Sequence, residues 1–400
     1  MVLLIVGMLM VGARRLHHVE FVRDDDLMRR FAGLRRIPTE RTLSRTLKKF
    51  DHRKWPELDR LNERVVADSI VPLGLNRITV DIDGSVLSTG MTVARAARGF
   101  NPHNRKNPSY YPIAATIAQT GHVLAHRNRS GNVHDSRGSV AFLRNAVRTV
   151  REQFGFSGII ETRADSAFFQ RGFLELCDLH SLEYAIKVPM MPWLGLKLII
   201  KKKRARDWQW VDRKNQVQGF FTYLPVDTWE RTERVAIFRK RVNHKLTKPV
   251  QLDLFNPDDG TWEHSVVATN KSLKLRGIWD FMNGRGVQEK TFSELKSGYA
   301  YDCIPTNHYG ANTAWQKLNI LAHNLTTSMQ LATVSLPKKS RTLKRTTSYY
   351  LRSIRTIRFE WLNKAARLLN SSGRRVLRVP NNEKVRVCYE EILEKTPEAA

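Results

Sequence analysis

Four hundred residues with 42% hydrophobic content can bury a sizeable core spread over two or three domains. A balance of 67 Lys+Arg against 38 Asp+Glu, net +29, draws the chain to polyanions and makes nucleic acid the default partner. Cys177, Cys303 and Cys388 lie far apart with no CxxC pair, which excludes a disulfide framework and a cysteine zinc site. No HExxH run suggests a zinc hydrolase. The cysteine usage fits a reducing compartment, and a cytoplasmic, nucleoid-associated protein is expected. The apolar run Met1 to Gly12 is too short for the ~20 residues a bilayer requires, so no membrane partner is expected. It reads as a buried helix.

Residues 1–72 read as a helical N-terminal domain with possible DNA contact through its basic face. Asp24 to Asp26 cap a helix through Leu34. Pro38-Thr39-Glu40 opens a basic helix through Phe50, and a third runs from Trp55 to Ile70. From Arg77 to Leu87 the pattern alternates with period two and marks a strand. Alternation sets Asp81 and Asp83 on one face and Ile78, Val80 and Ile82 on the other. Two acids on one strand face are costly unless solvated or bound to a cation.

A hairpin follows, with strands over Tyr110 to Ala118 and His122 to Arg129. Next come a helix bearing Phe142, Leu143, Val147 and Val150, then a short strand, Gly158 to Thr162, with Asp165 just beyond its C-terminal end. A helix bearing Phe173 and Leu174 and a strand from Tyr184 to Val188 complete the run. Three strands, helix, strand, helix, strand is the order of an RNase H-like sheet, spanning 73–188. Sites in open α/β sheets cluster at the carboxyl ends of strands, where Asp165 falls.

Residues 189–277 break the pattern with short aromatic and β-branched runs separated by Gly, Pro, Asp and Asn. They read as an antiparallel β insertion with strands near 207–211, 219–224, 234–239, 251–255 and 262–268. From Lys197 to Lys214 there are eight basic residues, including Lys201, Lys202, Lys203 and Arg204, with Trp208 and Trp210 interleaved. Bases beside aromatics suit backbone charge contact plus base stacking, and packing of the tryptophans in a hairpin suits the pattern equally.

In 278–335 a helix from about Arg285 would place Arg285, Glu289 and Lys296 within about 40° of one another, while Glu294 points the opposite way. Intrahelical ion pairs on a solvated face are the commoner meaning of such spacing. A core helix then covers Tyr309 to Leu331. Residues 336–400 read as a basic helical region: Pro337 to Val379 holds thirteen Lys/Arg and one Glu, and Arg352, Arg355 and Arg358 recur at helical intervals as a ridge for DNA. The fold class expected is therefore α/β, an RNase H-like mixed-sheet core interrupted by an antiparallel β insertion domain, with helical N- and C-terminal regions.

Asp83, Asp165 and Glu289 offer three carboxylates from two strands and a later helix, an oxygen-rich set suited to Mg²⁺ or, in substitution, Mn²⁺. Asp83-Gly84-Ser85, Arg163-Ala164-Asp165-Ser166 and Arg285-x3-Glu289-x6-Lys296 resemble the catalytic motifs of bacterial insertion-sequence DDE transposases, group 1, over nearly the whole chain. The resemblance implies a two-metal-ion cut-and-paste reaction on double-stranded DNA, with Asp83, Asp165 and Glu289 holding two Mg²⁺ ions. Arg285 and Lys296 would contact transposon-end phosphates, and a homodimer would assemble on the DNA. Trp208, Trp210 or Trp262 would stack on a flipped base of a hairpin intermediate. Asp81 shares the face of Asp83 and would stand behind it. The tyrosine of the family signature is replaced by Met282 beside Phe281, so its hydroxyl contact is lost. The abrupt apolar start suggests an upstream end-recognition segment. The alternative is a catalytically inactive DNA-binding protein derived from such an enzyme.

Overall fold

A computed structural model describes residues 1–89, 92–99, 106–241, 262–333, 338–339, 348–349, 351–371, 374–380 and 382–395. The chain opens with α1 (Val2–Val11), apolar all round and therefore buried, which stops at Gly12 in the left-handed region (φ 110°). Helices α2 (Asp26–Phe31), capped by the Asp25 side chain on the Met28 amide, α3 (Glu40–Lys48) and α4 (Trp55–Ile70) follow. Leu43 and Leu47, one turn apart, are fully buried. Among the described residues no single helix is long and apolar enough to cross a membrane.

The α/β core starts with β1 (Arg77–Gly84), a short β2–β3 ribbon (Leu87–Ser88 with Ser109–Tyr110), β4 (Ile113–Ile117) and β5 (Val123–Arg127). After α5 (Ser139–Arg148), β6 (Ile159–Ala164), α6 (Arg171–Leu179) and β7 (Glu183–Val188) complete its first part. A short α7 (Leu196–Lys201) leads into β8 (Gln209–Asp212), β9 (Val217–Val226), β10 (Arg231–Arg241) and β11 (Trp262–Thr269). The strand expected over 251–255 lies outside the described residues. Then come α8 (Leu275–Asn283), α9 (Gly286–Tyr299) and the long α10 (Tyr309–Thr333).

Nine of the described strands form one mixed sheet in the order β5-β4-β1-β6-β7-β11-β10-β9-β8. Strands β1, β6 and β7 are parallel, and all other pairings are antiparallel. The insertion is antiparallel, as expected, but it is not detached: Val266 to Thr269 of β11 pair with Val188 to Ala185 of β7, so the inserted strands lengthen the core sheet.

One face of the sheet buries Ile78, Val80 and Ile82 against Phe142, Leu143 and Val147 of α5, Phe173 and Leu174 of α6, and Val66 and Ile70 of α4. The opposite face takes α8 over the inserted strands, through Ile278 and Met282 on Val267 and Phe238. Phe292 and Leu295 of α9 pack with Ala114 and Val123. A further core joins α1, α3 and α10 around the fully buried Trp315, whose indole donates to the Ala300 carbonyl.

The C-terminal region departs from the expected helical ridge. It holds a two-residue pairing of β12 (Lys338–Lys339) with β13 (Ser348–Tyr349) and a single turn, α11 (Ile354–Ile357). A hairpin of β14 (Arg367–Ser371) and β15 (Arg374–Arg378) and a final α12 (Glu383–Lys395) follow. Arg358 does not face outward. Its guanidinium donates to the carbonyls of Met10 (2.7 Å), Leu9 (2.7 Å) and Gly298 (2.6 Å), satisfying the open C-terminal carbonyls of α1 and of α9. Arg352 pairs with Glu360, and Arg355 alone of the three is exposed.

Candidate active site

The polar face of β1 and β6 is built in rows, because parallel register aligns equivalent residues across strands. The first row pairs Thr79 with Glu161 and Glu183. Here Arg77 donates to Glu161 (3.0 Å) and Glu183 (2.7 Å), while the buried Lys271 ammonium reaches Glu161 (2.5 Å) and Glu183. Two carboxylates meet two cations. The second row pairs Asp81 with Arg163, whose guanidinium grips both carboxylate oxygens at 2.6 and 2.7 Å, fully buried. One carboxylate meets one cation.

Register then runs to Ile82 opposite Ala164, so Asp83 and Asp165 come next on adjacent strand ends, on the same face. This row is different: of its two carboxylates, Asp83 meets a cation, the Arg285 guanidinium 2.8 Å from its Oδ2. Asp165 turns back to accept from the Ser166 amide, and Asp83 likewise from the Gly84 amide. Burial, chiefly, and the charges of Asp135 and Asp165 push the Asp83 carboxyl up to about 6 against the pull of Arg285. The row carries excess negative charge in a partly buried setting, and its donors are all oxygen. Those are the terms on which a hard divalent cation is held.

Glu289 lies on α9 one turn past Arg285 and is solvent-exposed. Its neighbour Gln288 is buried and donates to the Asp81 carbonyl at 3.0 Å, which docks the helix across β1. Among the described residues no three His, Cys, Asp or Glu side chains stand close enough to hold a metal ion together. Asp83 lies near enough to Asp165 to feel its charge, and the cation that meets Asp83 is Arg285.

Asp81, expected behind the ligands, is sealed by Arg163 as an ion pair. Lys296 sits at the far end of α9, half-buried; burial lowers its pKa and Asp302 opposes the shift. Met282, expected at the signature tyrosine position, packs into the apolar layer under the inserted strands, while the Phe281 ring meets both the Arg163 (5.0 Å) and Lys271 (4.5 Å) cations.

Of the predicted stacking residues, Trp208 is buried against Phe220, and Arg239 is sandwiched between the rings of Trp208 (4.2 Å) and Trp262 (4.3 Å). Trp210 is 51% exposed. Lys201, Lys202 and Arg204 are exposed, whereas Lys203 covers the Phe220 ring.

The site also contains groups that the sequence did not single out. Asp135, on the loop before α5, is buried, pairs with Arg129 (2.6 Å) and accepts from the Tyr111 hydroxyl (2.6 Å). This pair presses on Gly84: a Cβ there would lie 2.5 Å from Tyr111 Cζ and 2.6 Å from Asp135 Oδ1. The glycine of the Asp-Gly-Ser motif is required for that approach. Gly84→Ala should therefore displace Asp83 and destabilise the protein by about 1–3 kcal/mol in a denaturant titration.

The family model of transposase DDE domain group 1 matches residues 1–399, and the chain belongs to that transposase family. DDE transposases as a family use divalent metal ions. The fold is similar to that of a piggyBac transposase solved by cryo-EM as a synaptic complex with hairpin DNA. That likeness has 12% identity and a TM-score of 0.44, and covers 81% of this chain and 64% of the piggyBac chain. The chain thus spans less than two thirds of the length of that neighbour. No curated protein matches the sequence.

Proposed function

We propose that the chain cuts double-stranded DNA at the ends of a mobile element and joins the freed ends to target DNA. The observation that carries this reading is the unbalanced last row of the sheet. Two rows of charge close to neutrality, and the third would bring Asp83 and Asp165 together at the carboxyl end of parallel strands. Asp83 and Asp165 would hold Mg²⁺, or Mn²⁺ in its place, with Glu289 as the third acid. Bound there, such ions supply neutralisation of the charge that builds on the phosphoryl group.

In the first step water attacks the phosphorus at the element end, and the bond to the 3′ oxygen breaks to leave a 3′-hydroxyl. In the second, that hydroxyl attacks a target phosphodiester, forming one P–O bond as another breaks. Arg285 is held at 2.8 Å from Asp83, and its guanidinium would suit a DNA phosphate as it suits this carboxylate. The exposed Lys201, Lys202 and Arg204, with Trp210, offer charge and a stacking face to the DNA. Pairing two ends requires two copies of the chain acting together.

The test is incubation of the purified protein with duplex DNA carrying the inverted repeats that flank its gene, in Mg²⁺. Nicks leaving 3′-hydroxyl ends, blocked by EDTA, are expected; intact DNA in the presence of metal and bound protein overturns the reading. The Arg285–Asp83 ion pair favours a second reading, a DNA-binding protein without catalysis. Tight DNA binding together with no Mn²⁺ binding at the acids would select it.

A further inference from the structure

We propose that Arg163 is the positioning residue that fixes the Glu289 helix against the Asp83–Asp165 pair, an inference that rests on the reading above. Arg163 lies on β6 two residues before Asp165. Its Nε and Nη2 donate to the two Asp81 oxygens at 2.6 and 2.7 Å, and its Nη1 donates to the Phe281 carbonyl at 2.6 Å. Phe281 belongs to the last turn of α8, four residues before Arg285.

The guanidinium is thus a bolt through three elements. One end sits on β1, the body on β6, and the third donor on the α8–α9 junction. The Phe281 ring is clasped at the same point by Arg163 and Lys271. Gly284, first of the two residues between the helices, admits the guanidinium only because it lacks a side chain: a Cβ would come within 2.1 Å of Arg163 Nη1.

From the junction the contacts return to β1. Arg285 reaches Asp83, and Gln288 reaches the Asp81 carbonyl. The circuit from Asp81 through Arg163, Phe281 and Arg285 to Asp83 begins and ends on one strand, and Glu289 follows directly on it. A lysine at 163 keeps the charge but cannot hold a carboxylate and a carbonyl in one rigid fork. The start of α9 would then be loose relative to the acids, while the sheet stays paired.

Arg163→Lys and Gly284→Ala test this by amide hydrogen exchange on the protein without DNA or metal, together with cleavage kinetics. Exchange at residues 285–291 should quicken by about tenfold or more in both variants, with β1 and β4 amides unchanged. Displacement of a catalytic group by about 1 Å can cost roughly 100-fold. kcat should fall by that order, while KM for DNA stays within about twofold. Unchanged exchange at 285–291 overturns the inference. Exchange that quickens equally throughout the sheet also overturns it, since Arg163 would then serve only general stability. Because exchange requires neither DNA nor metal, a wild-type protein that leaves DNA uncut counts against the proposed function and not against this role.

Discussion

Asp165→Asn should lower strand cleavage by more than about 100-fold and leave DNA binding intact. Even partners behind metal ligands are commonly worth 10–100-fold, and a direct ligand is worth more. The substitution keeps shape and hydrogen bonding at the start of the turn after β6, where Asp165 accepts from the Ser166 amide, and removes only the charge. Folding should therefore be unaffected. Element-end duplexes with a label at the 3′ side, resolved on denaturing gels in Mg²⁺ and in Mn²⁺, give the measurement. Cleavage within threefold of wild type would remove Asp165 from the chemistry.

Asp81 and Asp83 stand two residues apart on one strand face, and they should behave in opposite ways. Asp81→Ala leaves the Arg163 guanidinium buried without its carboxylate, and breaking such a buried pair costs about 3–5 kcal/mol. Asp83→Asn should instead raise the stability of the metal-free protein at neutral pH. The Asp83 pKa is raised in the fold, to about 6 from 3.8, so the native state binds this proton more tightly than the unfolded chain. Stability from this group is fully present below about 4, falls as pH rises through 4 to 6, and stays low above that window. At about 1.4 kcal/mol per pKa unit, discounted for a side chain 26% exposed, the effect is on the order of 2 kcal/mol. Urea titrations at pH 5 and pH 7.5 should show wild type losing stability between the two and the Asp83→Asn protein changing less. Added Mn²⁺ should restore wild type at pH 7.5 and leave the variant unmoved.

Local periodicity made much of this fold legible. The alternation from Arg77 marked β1 and separated its apolar face from its acids. The third N-terminal helix has the bounds its sequence pattern gave, Trp55 to Ile70. What stayed hidden depends on partners distant in sequence. Alternation puts Asp81 and Asp83 on one face, but the cation that occupies the first lies 82 residues on, at Arg163. The spacing of Arg352, Arg355 and Arg358 gives a common face and says nothing of what covers it. In the fold α1 lies there, nearly 350 residues earlier, and takes Arg358. For Trp208 and Trp210 the sequence left base stacking and packing within a hairpin equally open. Arg239, two strands away from Trp208, decides that Trp208 and Trp262 are engaged within the protein. The continuity of the insertion with the core was equally invisible, since β11 pairs with a strand almost eighty residues before it.

That pairing has a cost for modularity. In the intact chain the flank of β7 is saturated along Ala185 to Val188, where an RNase H-like core cut short at that strand would bare unsatisfied amides and carbonyls to any neighbouring molecule. The inserted strands act as a sleeve over a sticky border, so an ancestor or descendant stripped of residues 189–277 would tend to clump with its own copies unless something else shielded that border.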